Sequence, residues 1–594
     1  MGEERPIPTS LHNSDDDGLQ VLGLLGSNLT SPKPLRISLG NLAITSKLCE
    51  IYLQQVDPII KILHRPSLSK WLMLQGQYLA YAKGNPATEA LGAAVCFAAI
   101  SSMTESQCSI VFHAKKSDLV IESRATCEMA IGRAGLLSTR DITVLQAFVL
   151  YLVQICPQNL RQQRLTCLKV ARRTVDRTQA VWTLVAVAVR ISKGLGLHLD
   201  PENETFFKQQ MRRRLWFTVC LLDLQASFFQ ASEPLIGVDD STSTDLPQHI
   251  NDLDFDPTTT SSEPSRKGLT DTTFALVTYH AQQMGRLLNF ARQDRKAEAE
   301  DSITTSSRYH PRHDDSELPQ QMARCFEEEA LRLLHFCDPE ASAYAWFTWH
   351  GTQTLIMTAR LAEMRPLQRS GKSPPPRREG NPDLLRLCLL VLEKAYQMHT
   401  NFRAEGFRWY VTIPWHALAI AMAECYVSSD SSLVQQAWPL VEKSYLHHEA
   451  TQGQSPDTPL GQWMRRTREK LAMAGPVSLG NPMTPGQNSI NPVPSRRDLS
   501  QSLNDSRIES DRTWPHTGPT MPADLDSSSL LPLSNWCSIS PALDNSSPFA
   551  APPTMTGVVD GIDPGAETMW EELFSGMPFN EIAGPDMFFF ESGR

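Results

Sequence analysis

The stretch from Thr205 to Ala231, TFFKQQMRRRLWFTVCLLDLQASFFQA, decides the fold class. Met211, Leu215, Val219, Leu222, Ala226 and Phe229 follow one another at steps of four and three, which draws one apolar stripe along a helix of about 3.6 residues per turn. Trp216, Cys220 and Asp223 form a neighbouring face. Asp200-Pro201 precedes the stretch and Glu233-Pro234 follows it, and because proline disfavours helical backbone in the residue before it, both mark helix ends. The same periodicity returns near residues 41–55, 87–103, 116–135, 141–155, 178–193, 270–293, 319–336, 341–364, 382–402, 412–428, 432–448 and 458–474. No strand-like alternation of useful length separates these stretches. The spacing predicts an all-α fold with Trp216 in its core.

Outward from this region the composition changes. Of the 41 prolines in 594 residues, 16 fall in positions 476–594, together with 15 Asp plus Glu, five Arg and no Lys, so the tail carries the whole net charge of −10. Residues 1–40, rich in Ser, Asp, Gly and Pro, lack a sustained period. The expected organisation is a disordered N-terminal arm at 1–40, a helical region at 41–475, and a disordered, Pro-rich acidic tail at 476–594. The polar breaks around Asp252–Lys267, Glu300–His313 and Arg369–Gly380 read as surface loops between helices. The chain as a whole lacks the excess of Lys and Arg that phosphate neutralisation demands, so direct DNA contact is not assigned to any residue. No apolar run approaches 18 residues, and the opening MGEERPIPTS has neither an apolar run nor a myristoylation signal; no membrane is expected.

Candidate chemical motifs fail on their own geometry. The 12 cysteines are never closer than 11 positions apart. A structural zinc site needs Cys pairs about two to four residues apart, so the cysteines are expected to be reduced core residues. Asp252, Asp254, Asp256 and Glu263 keep the carboxylate register of a calcium loop, but Pro257 stands where a sharp Gly turn is needed, leaving a solvated acidic loop. Gly371-Lys372-Ser373 precedes three prolines instead of a helix, Gly194-Leu195-Gly196 reads as a helix C-cap, and His447-His448-Glu449 lacks the order that puts two imidazoles on one helical face. No nucleophile stands beside a base, and no catalytic residue, cofactor or metal is assigned. A sensor of small molecules would require a pocket.

Two segments carry interaction chemistry. Arg161, Arg164, Lys169, Arg172, Arg173 and Arg177 face only Asp176 among them, which reads either as a nuclear import segment or as a solvated basic helix or loop. Arg212, Arg213 and Arg214 sit within an amphipathic helix, where partly buried pairing with carboxylates such as Asp223 is expected. At the far end, residues 569–594 interleave Trp570, Phe574, Phe579, Phe588, Phe589 and Phe590 with Glu571, Glu572, Glu581, Asp586 and Glu591. Charge keeps such a segment solvated while its aromatics stay available to a partner's groove, the composition of an amphipathic activation segment; the alternative is a tail helix docked on its own domain.

A series of short motifs then follows in order: Ile62-Leu63-His64-Arg65-Pro66-Ser67, Val144-Leu145-Gln146-Ala147, Trp182 through Ala188-Val189-Arg190-Ile191 to Leu195-Gly196-Leu197-His198-Leu199-Asp200, Met211 to Trp216 with Asp223, and Leu246-Pro247 through Asn251-Asp252-Leu253-Asp254. Together they span about residues 50–257 and resemble the fungal-specific transcription factor domain, the middle homology region of binuclear zinc-cluster regulators. The resemblance implies an all-helical regulatory domain, a nuclear location, transcriptional control of metabolic or secondary-metabolite genes, and no catalysis. The family's N-terminal zinc cluster has no counterpart before Asn41 or elsewhere in the sequence. DNA contact is thus expected through a partner regulator or through a zinc cluster not contained in this stretch, with the transcription machinery or a coactivator, and a second copy of the chain, as further partners. The connection at residues 154–181 is long for the family and reads as an insertion or a coding error. The alternative function is a regulatory scaffold that binds other regulators without touching DNA.

Overall fold

A computed structural model describes residues 41–155, 171–201, 203–230, 232–301, 318–364, 380–452 and 459–473. Among them are sixteen α-helices and no strand. The first six are α1 (Leu42–Gln55), α2 (Arg65–Leu72), α3 (Pro86–Ser102), α4 (Glu105–Phe112), α5 (Lys116–Arg133) and α6 (Ile142–Ile155). Their starts are chemically marked. The Asn41 side chain accepts from the amides of Ala43 and Ile44, Asn85 caps α3 with Pro86 at its first position, and Thr104 and Gln107 form a reciprocal capping box on α4. Helix α3, PATEALGAAVCFAAISS, is buried on nearly every face, and its alanines and Gly92 leave room for α1, α5 and α6 to close around it.

The middle of the fold holds α7 (Ala171–Gly194), α8 (Phe206–Gln230), the short α9 (Val238–Thr242) and α10 (Thr273–Asp301). The single stripe read along α8 proves too narrow. Leu215, Trp216, Phe217, Val219, Cys220 and Leu222 are all buried, because α8 packs against α6, α7 and α10 together. A helix enclosed by three neighbours has no solvent face to supply the polar half of the pattern.

The remaining helices are α11 (Leu318–Leu333), α12 (Ala343–Met364), α13 (Pro382–Thr400), α14 (Trp415–Val427), α15 (Ser431–Gln452) and α16 (Pro459–Met473). Helix α13 packs between α12 and α14, and α14 in turn against α15 and α16. Several contacts tie this part to the rest, among them a hydrogen bond from the Tyr344 hydroxyl to the Thr270 carbonyl at 3.1 Å. The Trp409 indole Nε1 donates to the Gln55 carbonyl at 3.0 Å, and Phe347 stacks between Phe274 and Phe407 with ring centroids 5.0 and 4.6 Å away.

The thirteen helical stretches read from periodicity all appear. The shorter α2, α4 and α9 have no period long enough to register. Gly194-Leu195-Gly196 is a helix end as read, with Gly196 at φ +65°, a conformation that suits glycine. The nine described cysteines are free, and all but Cys325 are buried; Cys156, Cys167 and Cys537 lie outside the described residues. No described helix is long and apolar enough to cross a membrane. Helix α10 runs to Asp301, one residue into the break read at Glu300–His313. Residues 302–313 of that break, and residues 369–379 of the next one, lie outside the described residues.

Burial also sets a pH dependence. His416 is fully enclosed in α14, and burial pulls its pKa down to about 3. The unfolded imidazole binds its proton near pH 6.5, so this site's contribution to stability is complete above that value and is lost as the pH falls toward about 3, at about 1.4 kcal/mol per pH unit. Urea unfolding followed by circular dichroism from pH 7 to pH 4.5 should show falling stability, with a shallower slope in His416→Gln. An identical slope in the variant would show that His416 titrates freely in the fold.

Candidate functional site

The motifs that are far apart in sequence meet at one buried carboxylate. Asp252 opens a short 3-10 turn, Asp252–Asp254, and has no exposed surface. Its Oδ2 accepts from Lys61 Nζ at 2.7 Å and from the Arg65 backbone amide at 2.8 Å, while Oδ1 accepts from Arg214 Nη1 at 2.7 Å. Lys61 also reaches Asp57 Oδ2 at 2.7 Å, one helical turn earlier in the chain. Arg65 bonds the same oxygen through Nε and faces Asp271 at 3.3 Å. Three cations therefore meet three carboxylates, and the cluster is neutral.

Burial alone would push the Asp252 carboxyl up, but Arg214, then Lys61, and the Arg65 amide outweigh it and hold the group well below the usual carboxylate range. Arg214 lies 5.3 Å from the centre of the Phe255 ring, and its Nε and Nη2 find no acceptor among the described residues, so the guanidinium depends on this one carboxylate. His64 completes the arrangement. Its Nε2 lies 2.8 Å from the Asp252 carbonyl oxygen and 3.1 Å from that of Phe255, and since carbonyls only accept, Nε2 carries the proton. Nδ1 then accepts from the Ser67 hydroxyl at 2.8 Å and caps α2. The ring is a neutral imidazole, as its burial, which lowers its pKa, also favours.

The expectation of a solvated acidic loop at 252–267 is thus overturned at its first residue. Asp252 is claimed by cations lying 191 and 38 positions earlier in the chain, and Phe255 and Ile250 anchor the loop in a cluster with Phe206, Phe207 and Met211. Local composition carries no trace of such partners. Only Asp256 follows the surface reading, exposed and accepting from Thr258; the Asp254 side chain is 12% exposed, accepts from the Asn251 amide and pairs with Arg266.

The pairing expected between Arg212 to Arg214 and Asp223 is likewise corrected. Arg212 faces Glu204 at 3.1 Å, Arg213 forks onto Asp200 at 3.1 and 2.8 Å, and Arg214 goes to Asp252. Asp223, one or more turns further along α8, accepts from the amides of Leu235 and Ile236 and from Arg286 of α10, a cation that no local motif singled out. Its pKa is raised because burial outweighs those donors.

In front of the ionic cluster opens a cleft of about 1100 Å³. Each of four motif stretches contributes to its walls: His64, Pro66 and Ser67 from the first, Gln146 from the second, Leu195 and Leu197 from the third, Met211 and Arg212 from the fourth. Among the described residues no group of three or more His, Cys, Asp or Glu is placed to hold a metal ion.

Of the candidate import segment, Arg172, Arg173 and Arg177 fall on the opening turns of α7, which begins inside the stretch read as an insertion; Arg161, Arg164 and Lys169 lie outside the described residues. Residues 569–594, with Trp570, Phe574, Phe579, Phe588, Phe589 and Phe590, lie outside them too.

The model of the fungal specific transcription factor domain matches residues 49–296, a span that contains the cluster and the cleft. The chain is 62% identical to the C6 finger domain transcription factor adaR of Aspergillus niger, over 99% of this chain and 75% of that protein. It is 48% identical to the C6 finger domain transcription factor nscR of Aspergillus fumigatus over 86% of this chain and 63% of that one, and 41% identical to nscR of Arthroderma otae over 96% and 79%.

Asp252→Asn should cost about 3–5 kcal/mol, because it leaves buried cations short of a negative partner. Asp256→Asn, at an exposed carboxylate that accepts only from neutral donors, should change stability far less. Urea unfolding of the two variants decides between them, and equal losses would mean that the buried cluster has no special role in stability.

Proposed function

The chain belongs to the family of C6 finger domain transcription factors and carries their fungal-specific transcription factor domain, and on that premise we propose that it acts in the nucleus as an activator of a metabolic or secondary-metabolite gene set. The observation that carries this reading is the 62% identity along 99% of the chain to a protein named as a transcription factor. A family of transcription factors, not of enzymes, agrees with a site whose buried charges are consumed by one another instead of facing a substrate.

In this reading the helical domain is a stable regulatory body. Residues 569–594 contact a coactivator or the transcription machinery, with Trp570, Phe574, Phe579, Phe588, Phe589 and Phe590 supplying the apolar contacts and the interspersed carboxylates keeping the segment in water. The basic segment with Arg161, Arg164, Lys169, Arg172, Arg173 and Arg177 serves nuclear import. DNA is reached through a DNA-binding partner or a zinc cluster outside these 594 residues, since no two cysteines within them are closer than 11 positions. That same spacing favours a second reading, a regulatory scaffold that binds other regulators and leaves DNA to them.

Chromatin immunoprecipitation of the tagged chain, paired with binding of the purified chain to the recovered fragments, separates the readings. Promoter occupancy that requires a second protein supports recruitment. Absence from promoters would leave the scaffold. Removing residues 569–594 should abolish activation of a reporter to which the chain is tethered while leaving its melting temperature unchanged. A reporter that stays fully active after the deletion would refute the activation segment, and a fall in melting temperature would place the segment against the helical domain.

A further inference from the structure

We propose that the cleft in front of the Asp252 cluster is a binding site for a planar aromatic carboxylate or a similar aromatic anion, a function that goes beyond the regulatory reading and does not depend on it. The cleft's volume of about 1100 Å³ lies just above the usual range of small-molecule sites, which are mainly apolar with a few converging polar groups. Its floor has that character. Phe207 and Met211 of α8 and Leu195 and Leu197 after α7 are apolar, and the half-buried Tyr81, backed by the buried Tyr78, adds an aromatic ring.

The charges at the rim select the sign of the ligand. Lys70 of α2, Lys208 of α8 and Arg140 just before α6 come from three separate elements to one opening, and none makes an ion pair among the described residues. Of the carboxylates there, Glu204 is neutralised by a cation, whereas Asp141 and Asp256 accept from neutral donors and keep their charge. Glu204 faces Arg212 at 3.1 Å, Asp141 accepts from the Tyr81 hydroxyl at 2.6 Å and the Thr143 amide at 2.8 Å, and Asp256 accepts from Thr258 at 2.6 Å. Three cations against two carboxylates that no cation neutralises leave the opening net positive beside apolar, ring-bearing walls, which matches an anion on an aromatic body. His64, beside them, is neutral and presents no competing charge.

The site is also held open. None of the cluster's charged residues lines it; the cluster bears on the cleft through His64, whose Nε2 donates to the Asp252 carbonyl oxygen at 2.8 Å. The segment Gln77–Tyr81 forms one side, with Leu79 at φ +47°, a left-handed backbone that a γ-branched side chain adopts only where its surroundings impose it.

The test is fluorescence titration of the full chain with anilinonaphthalene sulfonate, an aromatic anion, and with uncharged phenylnaphthylamine for comparison. The expected result is one sulfonate probe per chain. Its affinity should fall about tenfold in the triple variant Lys70→Gln, Arg140→Gln, Lys208→Gln, with phenylnaphthylamine little affected, because partly exposed charges each contribute modestly. Ala80→Trp, an exposed position on the wall, should block both probes without changing the melting temperature. Equal affinity of the sulfonate for the parent and the triple variant would overturn the proposal, as would binding that Ala80→Trp leaves intact. Binding that appears only after residues 569–594 are removed would overturn it in another way, by assigning the cleft to the chain's own acidic aromatic tail.

Discussion

A single carboxylate with no access to water holds three distant parts of the chain together. Asp252 gathers Lys61 from the turn after α1, the first amide of α2, and Arg214 from the middle of α8. A charge enclosed in this way is tolerable only when its partners compensate its lost hydration, and here the compensation is complete enough to keep the group ionised against the pull of burial. The geometry of everything nearby follows from satisfying that charge. His64 must be neutral with its proton on Nε2, α2 must start where its amide meets Oδ2, and the loop after Ile250 must fold inward and not over the surface.

The consequence for function is a fixed arrangement of the elements that line the cleft. The domain's hydrophobic helices would pack in several registers if apolar contact alone decided, because burial is not directional. Ion pairs of defined geometry between Lys61, Asp57, Arg65, Asp252 and Arg214 admit one register, and that register places the stretches around His64, Gln146, Leu197 and Met211 around a common cleft. The motifs that carry the likeness to fungal transcription factors are therefore neighbours in space, and the domain model that matches residues 49–296 spans all of them.

Much of this was legible in the sequence, and the reasons for the remainder are physical. Long surface helices announce themselves because 3.6-residue periodicity accumulates over several turns, as in α13, whose buried Leu384, Cys388, Val391, Ala395 and Met398 follow at steps of four and three. Helix α2, with Arg65–Leu72, is only eight residues long, and its start depends on a histidine cap that propensity does not anticipate. The charge pairs are the hardest to foresee. Arg212, Arg213 and Arg214 are paired, as their place on an amphipathic helix implies, yet their carboxylates come from Glu204, Asp200 and Asp252 and not from Asp223, because helical direction sends consecutive side chains about 100° apart around the axis. Asp252 itself resembles a surface acid since Pro, Thr and Ser follow it, and only the folded chain brings Lys61 to it.

The claim that this cluster is a mutually dependent unit is tested most directly by a double-mutant cycle between Arg214 and Asp252, using Arg214→Met, Asp252→Leu and the pair in urea unfolding. Each single replacement leaves the buried cluster unbalanced by one charge, whereas the double replacement restores its neutrality. The double variant should therefore be more stable than the sum of the single losses implies, by about 2–3 kcal/mol. Losses that add to within about 0.5 kcal/mol would contradict the account and leave the packing of the apolar helices to determine the register alone.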